Sequence, residues 1–387
     1  MQGNTASITT GLYSGGVGDR LELRHSAATL CGEIVIQGEG GGLSFIGSTA
    51  TLSDNTIISN TATTVGGGAG GGLSLSSSTA TLNGNIVQGN TASTSAGLYS
   101  GGVGGGLDLI RSSVTLSGNM VQGNTASTAS IGSGGGLSLG GSTVTLSGNT
   151  VQGNTASTAD RGSGGGLSLG NSDATLSGNT VISNTATLNP TAVGRGGGLW
   201  IWFSSPFTLT NNLVAGNHAN TEGSGLWFES ESADPTSGCL RHTTIADNNG
   251  GSGQGVFVGA NTNLAFTNAI IAGHQSVGIT VTTGSTASLE ATLWYNNGSQ
   301  VGGGDYIFTG TINLDGGPAF VNPSAWDYHL TASSAAIDKG VSAGVTDDVD
   351  GDSRPVDGDG DGTAVVDIGA DEFAWKHIHL PLVVRNY

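Results

Sequence analysis

A short phrase returns along the whole chain: GGGLSL or a close variant, then T-x-T-L-x-x-N, then V-x-x-N, then a segment of variable length. Its leading apolar residue recurs as Leu21, Leu43, Leu73, Leu107, Leu137, Leu167, Leu199, Leu226, Val256 and Ile279, at spacings of 22 to 34 residues. The length differences fall in the segment before the glycines, such as 94–103 and 187–195. A stack of similar units tolerates insertions at one corner, because a loop there leaves the stacked elements in place. Within a unit the apolar residues alternate: Leu137 and Leu139 flank Ser138, and Val144 and Leu146 flank Thr145. A period of two means strands. Strands this short must pair with their equivalents in the next unit, and about thirty residues per unit makes that pairing parallel. Parallel crossovers are right-handed. No segment has helical periodicity, so leucine-rich repeats are set aside. The expected fold is all-β: a right-handed single-stranded parallel β-helix of about ten coils.

Two asparagine columns follow the same register. One comprises Asn55, Asn85, Asn119, Asn149, Asn179 and Asn212; the other comprises Asn60, Asn90, Asn124, Asn154, Asn184, Asn217, Asn248 and Asn297, with His274 in place of one member. Asparagine tolerates a sharp corner, and its amide can bond the amide above and below.

Composition excludes several alternatives. Glycine supplies 71 of 387 residues without a Gly-X-Y period and with only 7 prolines, which rules out collagen. The net charge is −18, with no basic stripe to release counterions from phosphates, so nucleic acid is not an expected partner. No stretch is long or apolar enough for a transmembrane segment. Cys31 and Cys239 lie seven coils apart, about 34 Å at ~4.8 Å per coil, and are expected as free thiols. Residues 2–7 copy the 88–93 segment, so the sequence begins in mid-repeat and reads as a processed or truncated end.

Three regions are expected: repeats over 1–297, an acidic capping module over 298–373, and a strand-like tail over 374–387. The module carries ten carboxylates between positions 347 and 372 and a single base, Arg354. Asp357, Asp359 and Asp361 before Gly362 resemble the first half of a calcium loop, with Asp367 near its end; Asp348, Asp350 and Asp352 form a second set. Ca2+ is therefore a candidate ligand, and the alternative is a solvated acidic loop in which Arg354 pairs an aspartate such as Asp367. An open solenoid end exposes unpaired strand edges, and a cap over that end is the expected role of the module.

Candidate chemistry is sparse. Trp200, Trp227 and Phe257 fall in one outward column, with Trp202 two residues beyond Trp200, and form a candidate stripe for sugar rings or a protein partner. The long 187–198 loop could instead cover them. The least regular stretch, 226–242, carries Glu229, Glu231, Asp234, Arg241 and His242; no catalytic residue is assigned, and a lyase or hydrolase site would be sought there. Outward threonine pairs at Thr49/Thr51, Thr79/Thr81 and Thr143/Thr145 raise an ice-binding surface as a further alternative, interrupted by Ser113, Asp173 and Pro206.

GGGL paired with V-x-x-N resembles the repeats of the chlamydial polymorphic outer-membrane proteins, and of bacterial parallel β-helices generally, over residues 1 to about 297. The runs Pro318–Pro323, Asp327–Leu330, Ser334–Gly340, Asp350–Pro355 and Asp367–Glu372 resemble the choice-of-anchor module that follows β-helices in exported bacterial proteins. The end, 377–387, resembles short LPLVVRN-type tails of exported proteins in some filamentous bacteria. These resemblances imply an extracellular or cell-surface scaffold or adhesin. A surface polysaccharide is one expected partner. Another copy is the second, if the apolar tail adds as a strand to an open first coil and builds head-to-tail filaments. A polysaccharide-degrading enzyme stays open as the alternative.

Overall fold

The computed structural model describes residues 5–8, 12–14, 21–31, 35–37, 41–63, 66–95, 101–203, 205–251, 253–309 and 312–375. Strands from successive turns pair in parallel and in register. Leu43 pairs with Leu73, and the file continues through Leu107, Leu137, Leu167, Leu199, Leu226, Val256 and Ile279 to Val301. A representative turn has three main strands, Leu137–Gly140, Thr143–Ser147 and Thr150–Gln152. Their apolar members, Leu137, Leu139, Val144, Leu146 and Val151, belong to one continuous core file inside the solenoid. Each buried side chain contributes roughly 1.5–3 kcal/mol. The fold is the expected parallel β-helix.

The turns are less uniform than ten equal coils. Among the described residues, two further corner ladders close the turns in the middle of the chain, one from Gly68–Ala69 to Gly194–Arg195 and one from Thr61–Thr63 to Thr185–Thr187. Complete turns are therefore fewer than expected. Glycine is compulsory at this closure, since a Cβ on Gly132 would lie 1.6 Å from the Ala156 carbonyl oxygen. The next turn keeps single bridges, Thr185 with His218 and Arg195 with Glu222, and beyond it Thr262–Ala272 and Val277–Tyr295 run as unbroken strands around their bends.

Both asparagine columns are built. Asn119 Nδ2 donates to Asn149 Oδ1 (3.0 Å) and to the Leu82 carbonyl (2.9 Å), while Asn119 Oδ1 accepts from the backbone N–H (2.9 Å) and the amide (3.0 Å) of Asn85. A third column, absent from the sequence-based expectation, is made of serine: the backbone N–H of Ser48, Ser78, Ser112, Ser142 and Ser172 each donates to the hydroxyl of the next serine, ending at Ser205. Cys31 and Cys239 are free thiols, as expected.

His274 interrupts the second column. Its Nδ1 faces the Asn248 carbonyl (3.1 Å) and its Nε2 the Ile245 carbonyl (3.3 Å), yet a neutral imidazole has one N–H for two acceptors. Burial pushes its pKa from 6.5 down to about 4, partly offset by those two carbonyls. The folded chain thus binds fewer protons here than the unfolded chain between those values. This contribution is intact above pH 6.5 and is lost as pH falls to about 4, on the order of 3 kcal/mol in all. His274→Asn is expected to raise the melting temperature and to flatten the acid limb of stability relative to the unsubstituted protein. The comparison between the two proteins matters, because buried Asp108, with a pKa raised by desolvation to about 7, shifts stability in the opposite sense. An acid limb unchanged in thermal melts of the variant would refute this assignment.

The acidic module sits on the flank of the solenoid, which corrects the expected end cap. Outward positions of the third strand are Gln88, Gln122 and Gln152 in earlier turns, then become Ile182, Ala215, Ala246 and Ala272. Onto this apolar flank pack Tyr328, Leu330, Ala336, Ile337 and Ile368. Polar contacts fix the seat: Asn268 exchanges hydrogen bonds with the Val341 backbone (2.7 and 2.8 Å), and the Tyr328 hydroxyl donates to Asp247 (2.9 Å). The ladder also continues past 297, through Ser299–Phe308 and Asn313–Asp315. Among the described residues, no strand pairs with the far edge of Ser299–Phe308. Residues 376–387 lie outside the described residues, and with them the expected tail strand and its head-to-tail joining. No helix among the described residues is long and apolar enough to cross a membrane.

Candidate functional site

The aromatic column is where the regular pattern breaks. Ser168 pairs with Trp200, Trp200 with Trp227, and Trp227 with Phe257. This column is not an open face. The segment before the glycines roofs it: the Ser133 hydroxyl donates to Ser168 at 2.9 Å, and Ser44, Asp108 and Ser168 are all buried. Trp227 is covered for the same reason, at 3% exposure, with the Arg195 guanidinium 4.3 Å from its ring centre. The expected stripe is corrected accordingly, with Trp227 removed from the accessible surface.

Trp200 and Trp202 remain half-buried, and their rings stack face to face with centres 4.8 Å apart and planes parallel. Glycine makes room for the pair, since a Cβ on Gly170 would lie 2.7 Å from the Trp202 indole. Phe203 leans against Trp202 at 4.4 Å, and Phe257, half-buried, against Trp227 at 4.9 Å. Glu229 completes the patch: its carboxylate accepts from Trp200 Nε1 (3.2 Å) and lies 3.6 Å from Arg195. Burial raises the Glu229 pKa, against the opposing pull of Arg195 and Trp200.

Of the other polar residues of 226–242, Glu231 acts on the Glu229 carboxylate through space and the Thr236 hydroxyl donates to the Glu229 carbonyl (3.1 Å). The Asp234 carbonyl accepts from Ser230 and Ser232 within its own loop. His242 is fully buried beside Asn268, which also holds the acidic module, and burial together with Arg354 lowers its pKa to about 3. The threonine pairs do align outward, with Thr49 opposite Thr79 and Thr143 opposite Ser113. Farther along, the same face drops to small residues and leaves a groove of about 490 Å3 bordered by Asp173, Pro206, Thr208 and Cys239.

The seven aspartates proposed for calcium do not gather at one point, although Asp357 and Asp359 meet with Asp338. Asp348 accepts backbone N–H groups from Asp350, Asp352 and Glu372, and Asp367 accepts from Asp338 and Phe373. These two hold the chain of the module in shape. Arg354 pairs with Glu372 (2.8 Å), both side chains fully buried, and donates to the Asp367, Gly369 and Ala370 carbonyls. Its partner is thus Glu372 and not the Asp367 carboxylate. Among the described residues, two other groups bring three ligand atoms within 4.8 Å: Asp338 with Asp357 and Asp359, and His329 with Asp350 and Asp371. Asp352 and Asp361 belong to neither.

Residues 111–293 match the family model described as a right-handed β-helix region. The chain is a β-helix protein. No curated protein matches it by sequence. Among solved structures, this β-helix is similar to pectate lyase Pel9A at 12% identity over 84% of this chain and 88% of that one, with a TM-score of 0.39. It is also similar to the catalytic domain of an α-1,3-glucanase in complex with tetrasaccharides, at 14% identity over 80% of this chain and 64% of that one (TM-score 0.42). A third is the A-module of a mannuronan C-5 epimerase from Azotobacter vinelandii, at 12% identity over 81% and 91% (TM-score 0.28). At these identities no residue of those enzymes carries over to this β-helix.

Proposed function

We propose that this β-helix is an exported, surface-displayed scaffold that docks a polysaccharide on the patch built by Trp200, Trp202 and Glu229. The observation that carries the proposal is the parallel Trp200–Trp202 stack, half open and edged by a carboxylate, on a solenoid whose other turns repeat small polar residues. Indoles offer flat apolar faces to sugar rings, and a carboxylate accepts from their hydroxyls. The choice-of-anchor resemblance of the module supports export and attachment. A degrading enzyme would need a second group placed against Glu229. Its cationic neighbour Arg195 is already engaged in stacking on Trp227, and Glu231 and Glu222 are the carboxylates that act on Glu229 through space.

Binding to plant and microbial polysaccharides is measurable by affinity electrophoresis. Trp200→Ala with Trp202→Ala is expected to weaken the retained polysaccharide about tenfold, the size of one or two aromatic contacts. Equal retardation of the variant and the unsubstituted protein would remove the patch from the proposal. Release of oligosaccharides from any polymer would replace docking with turnover.

A further inference from the structure

We propose a binding site for one zinc-class divalent ion in the acidic module, with His329 Nε2, Asp350 and Asp371 as ligands and Asp327 orienting the histidine. The three residues border a cleft of about 510 Å3 between the Asp327–Leu330 strand and the acidic loop. Each offers one ligand atom, and the three atoms lie within 4.8 Å of one another.

The hydrogen-bond pattern points to a cation. Asp327 accepts from the His329 backbone N–H (3.2 Å), and its Oδ1 lies 2.6 Å from His329 Nδ1. A carboxylate on one ring nitrogen fixes the tautomer and leaves the other nitrogen as a lone pair, the arrangement that orients histidine toward a metal. That other nitrogen, Nε2, faces Asp350 Oδ2 at 2.7 Å. A lone pair and a carboxylate repel at this distance unless a positive charge joins them. The charge is either a second proton or a metal ion.

Asp371 distinguishes the two. It is only 9% exposed; one of its oxygens accepts from the Leu330 N–H (2.7 Å), and its other oxygen, at the cleft, meets no donor among the described residues. An imidazolium already bonded to Asp327 and Asp350 has no N–H left for it. A tetrahedral ion has positions for all three. At ~2.0–2.1 Å per bond, ligand atoms sit about 3.3 Å apart, so Asp350, whose side chain is 52% exposed, swings slightly outward to admit it. An imidazole among carboxylates selects zinc-class ions over calcium, which prefers oxygen alone.

The experiment is zinc titration by calorimetry on the full chain, with Co2+ absorption as a report of coordination. His377 and His379 in the tail can themselves bind zinc, so both are replaced by alanine in every protein compared. One ion per chain is expected, with micromolar affinity or tighter, and excess Ca2+ does not displace it. His329→Ala, at a half-exposed position, is expected to weaken binding at least about thirtyfold without changing the far-UV spectrum. Asp327→Asn is expected to weaken it less and to shift the Co2+ band. Unchanged affinity in His329→Ala, displacement by Ca2+, or no uptake with a protonated His329 seen by NMR would each overturn the site. Polysaccharide retardation, measured in parallel, reports on the Trp200 patch alone.

Discussion

Replacing Arg354 by methionine is expected to detach the acidic module from the solenoid while the strand ladder stays folded. Arg354 and Glu372 are both fully buried, and the guanidinium also donates to three backbone carbonyls. Glu372 in turn accepts from Val356 and Asp367 N–H groups. Removing one partner of such a pair leaves a buried charge without compensation and costs about 3–5 kcal/mol. That is comparable to what one small flank contact can supply. Limited proteolysis should cut the variant within 316–375 and leave a resistant core whose β-sheet circular dichroism matches the unsubstituted protein. The double variant Arg354→Met, Glu372→Met should regain only part of the loss, since it buries no lone charge yet leaves the Val356 and Asp367 N–H groups without the Glu372 acceptor. Protection of 316–375 equal to that of the unsubstituted protein in Arg354→Met would show that the pair contributes nothing to docking.

Asn119→Ala is expected to have a comparable effect on the solenoid itself. The substitution deprives the Leu82 carbonyl of the Asn119 donor and the Asn85 N–H of its acceptor at a buried corner, while the Ser117 carbonyl keeps the Gly84 N–H. Two groups left unpaired cost about 1 kcal/mol or more each, for a loss of roughly 2 kcal/mol or above. Because each turn contacts only its neighbours, opening begins at this turn and spreads both ways. Hydrogen exchange should accelerate first around 79–152, together with a lower melting temperature. Thr145→Ala, on the exposed outer face of the same sheet, is the control and should change little. Equal melting of Asn119→Ala and Thr145→Ala would show that the amide column is dispensable.

Much of the solenoid was legible because its residues repeat with a strict period. The Leu107–Leu137–Leu167 file and both asparagine columns needed only self-comparison. The serine column escaped because serine is common at many other positions, so Ser78 and Ser112 do not stand out as asparagine does. The seat of the module escaped for a different reason. Its signal, the change from Gln152 to Ile182 and Ala215, is a change of surface character, and period alone treats it as noise. Trp227 was placed in the right column, yet a linear pattern cannot show that Arg195, thirty-two residues earlier, folds over its ring. The partners of Arg354 were equally hidden, since ten carboxylates lie within reach along the chain and only packing selects Glu372.

The flank position of the acidic module divides the chain into a braced half and a free half. From Ile182 to Leu293 several successive turns are clamped side by side, like slats nailed to one batten. Among the described residues, no side chain of the turns before Leu167 joins this apolar cluster. Whole repeats can therefore be added or deleted there, lengthening or shortening the rod without disturbing the seat of the module or the Trp200 patch. The molecule is built as an adjustable ruler with a fixed head.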